Sequence, residues 1–250
     1  MIGNISVVMI AHNAQHTLES SLKSLETFKE VIIYENNSTD DTVKIAKSFP
    51  NVKLIQGDFF GFGPTKNIAI SYAKNDWILS LDSDEILSDT FIKNLKNIRL
   101  NTNYAYTILR TNYYKDTQIK HCWGNDIIVR LFNKSRTNFT DTKVHEKIMT
   151  YQLEIEHLQG FVKHYPYSNV SDFILKLNNY STIYAQDNIG KKSSSPTKAF
   201  FNGAYSFLKT YFIKQGFRDG YPGLLIAFSH MATNFYKYIK LYELNKELKK

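Results

Sequence analysis

Asp82, Ser83 and Asp84 follow the apolar run Trp77, Ile78, Leu79 and Leu81, and Glu85 comes next. Carboxylates are depleted in strands and rarely buried without a partner. A core strand that ends in three of them calls for a partner that offsets the charge. On an extended chain, residues two apart point to one face, so Asp82 and Asp84 are expected to share one hard divalent cation through oxygen. Mg²⁺ and Mn²⁺ keep positions open for water or phosphates, which suits a nucleoside diphosphate. An EF-hand loop is set aside, because Ile86 and Leu87 fall at the next ligand and glycine positions. A helix-capping cluster and a solvated loop stay open as readings.

The elements around this motif alternate. Ile5–Ile10, Val31–Tyr34, "VKLIQG" and "WILSL" read as short strands. Between them lie helical stretches: "AQHTLESSLKSLETF", a segment capped by Thr39 or Asp41, and "PTKNIAISYAKN" with Pro64 in its first turn. Ser88 caps "DTFIKNLKNI". Such alternation gives βαβ units and a largely parallel sheet. Ligands bind such sheets outside the carboxyl ends of the strands, where His12-Asn13, Glu35–Asp41, Asp58–Lys66 and Asp82–Glu85 all fall.

From residue 104 three more strands read as a mixed or antiparallel section. From 169 the chain reads helical, with Phe173, Leu177, Tyr180 and Tyr184 on one face and Leu224, Phe228, Met231, Phe235, Tyr238 and Tyr242 on another. "KKSSSPTK", residues 191–198, is the linker expected from composition. The predicted fold class is α/β, with a mostly parallel N-terminal half flanked by helices and a helical C-terminal extension. The domains expected are 1–168, an α/β domain that carries the polar strand ends, and 169–250, a helical C-terminal region.

The net charge of +8 is matched by residues 191–250, which hold eleven Lys or Arg against three Asp or Glu. Seventeen Tyr and seventeen Phe accompany it. Basic residues mixed with aromatics point to peripheral contact with anionic lipid. A homodimer through the same tail, or a solvated helix packed on the core, fits the pattern too. Nucleic acid is not expected as a partner, since the polar strand ends are acidic. A single cysteine, Cys122, allows no internal disulfide. The N-terminus reads as a core strand, and no stretch reaches the length of a spanning helix. The protein is expected to be cytoplasmic, either soluble or peripheral on a membrane surface.

"SVVMIAHNAQHTLESSLKSL", "EVIIYENNSTDDTVKIA" and "GFGPTKNIAISYAKNDWILSLDSDE" resemble family 2 glycosyltransferases of the GT-A (Rossmann-like) fold. "RLFNKS", "VHEKI", "KHYPYSNVSDFILKLNNYSTIYA" and "GFRDGYPGLLIAF" are similar to the lipopolysaccharide-core subgroup that adds glucose to heptose in β-1,4 linkage. The resemblance implies inverting transfer from a UDP-sugar, glucose above all, to a lipid A-core glycolipid, with Mn²⁺ or Mg²⁺. It makes Asp82-Ser83-Asp84 the metal and diphosphate motif, with Asp84 the principal ligand. Glu35 stands where the family has an aspartate on the nucleobase. Asp58 and Lys66 match positions near base and phosphates, and Ala11, Asn13 and Gly61 line the same donor site.

Glu146 is the base implied for the acceptor hydroxyl, with His145 an alternative. Lys66, Arg130 and His164 are the cations expected at the leaving diphosphate, and His164 is a possible third metal ligand. Lys176 and Tyr180, i and i+4 on one helix, are expected to meet the acceptor. A sugar nucleotidyltransferase is disfavoured, because "AHNAQHT" after the first strand has neither Gly nor Lys or Arg.

Overall fold

The computed structural model describes residues 1–143 and 145–248, so Val144 of the "VHEKI" motif and Lys249 and Lys250 of the basic tail lie outside it. The chain forms two compact units. One is Met1–Thr111 with Asn125–Tyr165; the other is Asn112–Gly124 with the segment from Pro166 onward. The short stretch 112–124 therefore groups with the C-terminal helices, whereas the expected boundary at 168 left it in the first domain.

The first unit alternates β1 (Ile5–Ala11), α1 (Leu18–Lys23), β2 (Val31–Glu35), α2 (Thr42–Lys47), β3 (Val52–Gln56), α3 (Phe62–Ser71) and β4 (Trp77–Ser80). β5 (Glu85–Leu87), α4 (Asp89–Asn97), β6 (Tyr104–Tyr114), β8 (Asn125–Asn133) and β9 (Glu154–His164) follow. β7 (Thr117–Ile119) pairs with the end of β6 in the other unit. The strand order is β3-β2-β1-β4-β8-β6-β9-β5. The first four strands are parallel, and β4 meets β8 antiparallel.

Burial on both faces explains why β1 and β2 are apolar without alternation. Val7 and Met9 join Leu18, Leu22, Val31 and Ile33 in one cluster, while Val8 joins Ile32, Ile70, Ile78 and Phe132 in the other. The parallel pairing sends the carboxyl ends of β1 to β4 to one edge, as the sequence pattern predicts.

Two departures matter. α1 is shorter than its apolar spacing suggests, with turns on either side. The position before α2 is Asp41, yet its side chain caps nothing; the Asp40 carboxylate accepts from the Thr42 and Gln15 N–H groups instead. Ser88 does cap α4, accepting from the Phe91 N–H at 3.3 Å.

The segment after β4 re-enters the sheet. β5 is its far edge, paired with β9. In a flat sheet four strand spacings would separate β4 from β5 by roughly 19 Å. Only Leu81–Asp84 connects them, so the sheet curls. Ser21 Oγ, on α1, donates to the Glu85 carbonyl at 2.7 Å and fixes the returning strand.

The second unit holds α5 (Val170–Asn188), α6 (Pro196–Leu208), a π-helical turn (Lys209–Ile213), a 3-10 turn (Gly216–Asp219) and α7 (Gly220–Glu247). Residues 191–198 join two packed helices rather than two domains, with Ser195 capping α6 through the Lys198 N–H at 3.1 Å. The buried face of α5 is Phe173, Ser181 and Ala185, and Tyr180 is exposed. The buried face of α7 is Gly223, Ile226, Ala227 and Leu241, one step round from the expected stripe, and Phe228 is largely exposed. Small residues let the helices approach, so aromatic rings are left at the margins. Among the described residues no helix is long and apolar enough to cross a membrane.

Candidate active site

The chain between β4 and β5 is a tight turn, not an extended strand. The Glu85 N–H donates to the Asp82 carbonyl at 3.0 Å. The turn corrects the expectation that Asp82 and Asp84 share one face. Their carboxylates diverge onto different partners.

Asp82 is held by two cations. Lys66 Nζ donates to Oδ1 at 3.0 Å, and Arg130 Nη2 to Oδ2 at 2.6 Å. Burial alone would raise the Asp82 pKa, but Arg130 and Lys66 outweigh it and hold the carboxyl well below the usual range. Arg130 also donates to Glu85 Oε1 at 2.5 Å, and Arg110 lies 3.5 Å from the same oxygen. Glu85 is fully buried, and burial pushes its pKa up despite Arg130. Its other oxygen accepts from the Asp82 N–H at 3.1 Å. Arg130 and Lys66 are thus tied to carboxylates here rather than standing open as the expected diphosphate cations.

Asp84 turns the other way. His164 Nε2 is 3.5 Å from its Oδ2, and among the described residues its buried Oδ1 has no hydrogen-bond partner. The Tyr165 N–H donates to the Asp84 carbonyl at 3.0 Å, fixing the turn against the end of β9. A buried carboxylate oxygen without a donor is costly, and a hard cation satisfies it. Asp84 with His164 fits such an ion. Among the described residues no group of three or more His, Cys, Asp or Glu side chains is arranged around one point. The remaining positions would fall to water and phosphate. Ser83 occupies the turn between the two aspartates.

Lys66 connects this turn to a hairpin loop distant in sequence. Its Nζ donates to Glu146 Oε1 at 2.8 Å. Burial disfavours the ammonium, yet Asp82 and Glu146 together raise its pKa. The loop is closed by Thr140 and Lys147, whose N–H and carbonyl pair at 2.8 Å, and it sits on the start of α3. The Phe62 and Gly63 N–H groups donate to the Lys143 and Thr142 carbonyls. A Cβ on Gly63 would lie 1.9 Å from the Thr140 carbonyl oxygen, and Gly61 adopts φ +107° with Lys143 against it. Only glycine admits this approach, and the approach carries Glu146 to Lys66. His145 is exposed in a left-handed conformation, φ 58°.

A second set of loops lies at the ends of β1, β2 and β3. Asn13 and Asn37 both adopt positive φ, as Asn does most readily after Gly. Asn13 accepts from the Thr39 N–H at 2.9 Å, and the Asn36 N–H donates to the Ala11 carbonyl at 2.9 Å. Glu35 departs from expectation. It is buried, and its two oxygens accept from the Ser38 N–H and from Gln56 Nε2. Burial would raise its pKa; the Ser38 N–H and Gln56 amide reverse that and lower it. Glu35 shapes the loop from within, both of its oxygens being engaged by these two donors. Asp58 is exposed, with Asn37 Nδ2 3.4 Å away. Exposed Phe59, Phe60 and Phe62 follow it.

In the other unit, Lys176 is committed to the Pro166 carbonyl at 2.7 Å and to the Tyr167 ring, 4.5 Å from its centroid. That corrects its expected freedom to meet an acceptor. Cys122 is buried, and burial pushes its thiol up to about 12, so it is not a nucleophile.

Residues 6–159 match the profile of Glycosyl transferase family 2. The chain belongs to that family. It is a glycosyltransferase, and its mixed sheet flanked by helices is the GT-A arrangement. An uncharacterized glycosyltransferase of Rickettsia typhi is 30% identical over 96% of this chain and 87% of its own length. The lipopolysaccharide core biosynthesis glycosyltransferase LpsC of Rhizobium meliloti is 24% identical over 96% of this chain and 92% of its own. Among solved structures, S. aureus TarS superposes with a TM-score of 0.48 at 12% identity, covering 90% of this chain and 55% of that one.

The sequence named Asp82, Asp84, Lys66, Arg130, Glu146 and His164, and the structure brings them together. It missed Glu85 as the anchor of Arg130, and Arg110 beside it. The signal was present in Glu85 itself, a carboxylate opening a strand whose other residues are Ile and Leu.

Proposed function

We propose that this glycosyltransferase moves a hexose, glucose from UDP-glucose, onto a heptose of a lipopolysaccharide core by metal-assisted single displacement with inversion. One observation carries the reading. Lys66 joins Asp82, at the end of β4, to Glu146, on the α3-docked loop. A strand-end diphosphate site and a carboxylate suited to proton transfer thereby share one network.

In this reading the acceptor hydroxyl oxygen attacks the anomeric carbon while the bond to the diphosphate oxygen breaks. The diphosphate leaves with the electron pair. Glu146 takes the hydroxyl proton, and a carboxylate in hydrogen-bond reach is the required geometry. Asp84 and His164 would hold Mn²⁺ or Mg²⁺, which when bound would supply charge stabilisation at the leaving diphosphate. Lys66 and Arg130 keep Asp82 ionised beside the same site. Asp58, Asn13 and the 36–38 loop receive the uridine. The similarity to LpsC supports a core sugar as acceptor.

The test is a transfer assay with purified protein, Mn²⁺, a panel of nucleotide sugars and a heptose-terminated core glycolipid, read by mass spectrometry. One added hexose from UDP-glucose is expected, lost in Glu146→Gln while UDP still binds. Near-normal turnover in that variant removes Glu146 as base. Transfer from another donor only, or to no core acceptor, overturns the substrate assignment.

A further inference from the structure

Residues 188–218 hold six Lys or Arg and no Asp or Glu. Within them α6 packs on α7 through small side chains. Ala199 and Gly203 are buried, and a Cβ at Gly203 would come within 3.2 Å of the Met231 carbonyl and Phe235. The large side chains are turned outward. Phe201, Tyr205, Leu208 and Phe212, spaced four, three and four, lie on one helical face and are 64%, 59%, 50% and 54% exposed. Ile213, in the π-helical turn, is 68% exposed. A helix in a water-facing protein shows the reverse, with its large apolar residues inward.

Charge selects the occupant. Lys209, Lys214 and Arg218 are exposed along the same segment, and no carboxylate lies among them. The partner must offer an apolar interior behind a negative surface. An anionic lipid bilayer does both, and a helix of this kind lies in its interface rather than crossing it. A second copy of this chain would bring like charges together, and the aliphatic Leu208 and Ile213 have no counterpart on a nucleic acid.

We propose that α6 and the π-helical turn after it form a membrane-docking element. Phe201, Tyr205, Leu208 and Phe212 enter the headgroup–acyl boundary, and Lys209 and Lys214 meet lipid phosphates. The proposal does not depend on which sugar is transferred.

Co-sedimentation of the full chain with phosphatidylcholine vesicles, with and without phosphatidylglycerol, tests it. Binding is expected only with phosphatidylglycerol and falls with added salt. Each lysine near such a surface contributes about fivefold to partitioning, so Lys209→Gln with Lys214→Gln lowers it about 25-fold. Phe201→Ser with Phe212→Ser abolishes it. Both pairs are exposed, and unchanged thermal unfolding confirms that the variants fold. No binding to anionic vesicles overturns the proposal, as does binding that neither pair alters. Self-association or RNA binding that these variants abolish, without vesicle binding, assigns the face to that partner instead and also overturns it.

Discussion

The Lys66 ammonium lies 2.8 Å from the Glu146 carboxylate, and both groups are largely buried. The contact ties α3 to the 140–147 loop, and Asp82 completes it from the end of β4. Removing one member of a buried ion pair leaves an uncompensated charge. Lys66→Met is therefore expected to cost about 3 kcal/mol of stability and to abolish transfer. Urea unfolding measures the first effect. An unchanged midpoint would mean that Lys66 is a solvated neighbour and not the tie.

Gly63 tests how Glu146 is positioned. A methyl group there meets the Thr140 carbonyl oxygen at 1.9 Å, so the loop must move. Gly63→Ala is expected to destabilise by about 2 kcal/mol, the cost of overpacking, and to lower kcat more than it weakens UDP binding. Steady-state kinetics beside UDP calorimetry separates the two. Wild-type kcat in this variant would detach the loop from catalysis.

Glu35 gives a pH signature. Its folded pKa is lowered by the Ser38 N–H and Gln56 against the opposing effect of burial. An unfolded Glu titrates near ~4.3. The stabilisation is therefore fully present above that value and is lost as pH falls through the lower folded value. Glu35→Gln is expected to be about 2 kcal/mol less stable at pH 7, with the gap closing on acidification. Unfolding midpoints of both proteins from pH 7 to pH 3 check this; a constant gap would contradict it.

The fold was legible because β1, β2 and β4 are mostly apolar runs and β1 to β4 end in polar loops, which periodicity reads directly. Asp82 and Asp84 stood out for the same reason, because they follow β4, while Glu146, Arg130 and His164 lie beyond these strands and were named from the chemistry and the family resemblance. Their partners were not. Asp82 and Asp84 read as one pair because extended spacing puts them on one face; the turn closed by the Glu85 N–H sends them apart. Glu35 read as a base contact, yet its hydrogen bonds come from Ser38 in the following loop and from Gln56 on the paired strand. Stripes on α5 and α7 were misplaced because apolar periodicity favours large rings, while these helices pack through Ala, Gly and Ser. The Gln56 contact and the helix packing are long-range, and the turns at Asp82 and Glu35 are irregular local structure; apolar periodicity encodes neither.

We propose that Asp84, in the turn between β4 and β5, would hold a cation for a sugar-nucleotide diphosphate, its buried Oδ1 having no hydrogen-bond partner among the described residues. Calorimetry of UDP-glucose binding, with and without Mn²⁺, on wild type and Asp84→Ala tests it most directly. Binding that requires Mn²⁺ and that Asp84→Ala removes is expected. Equal binding by the variant, or equal binding without metal, would contradict it.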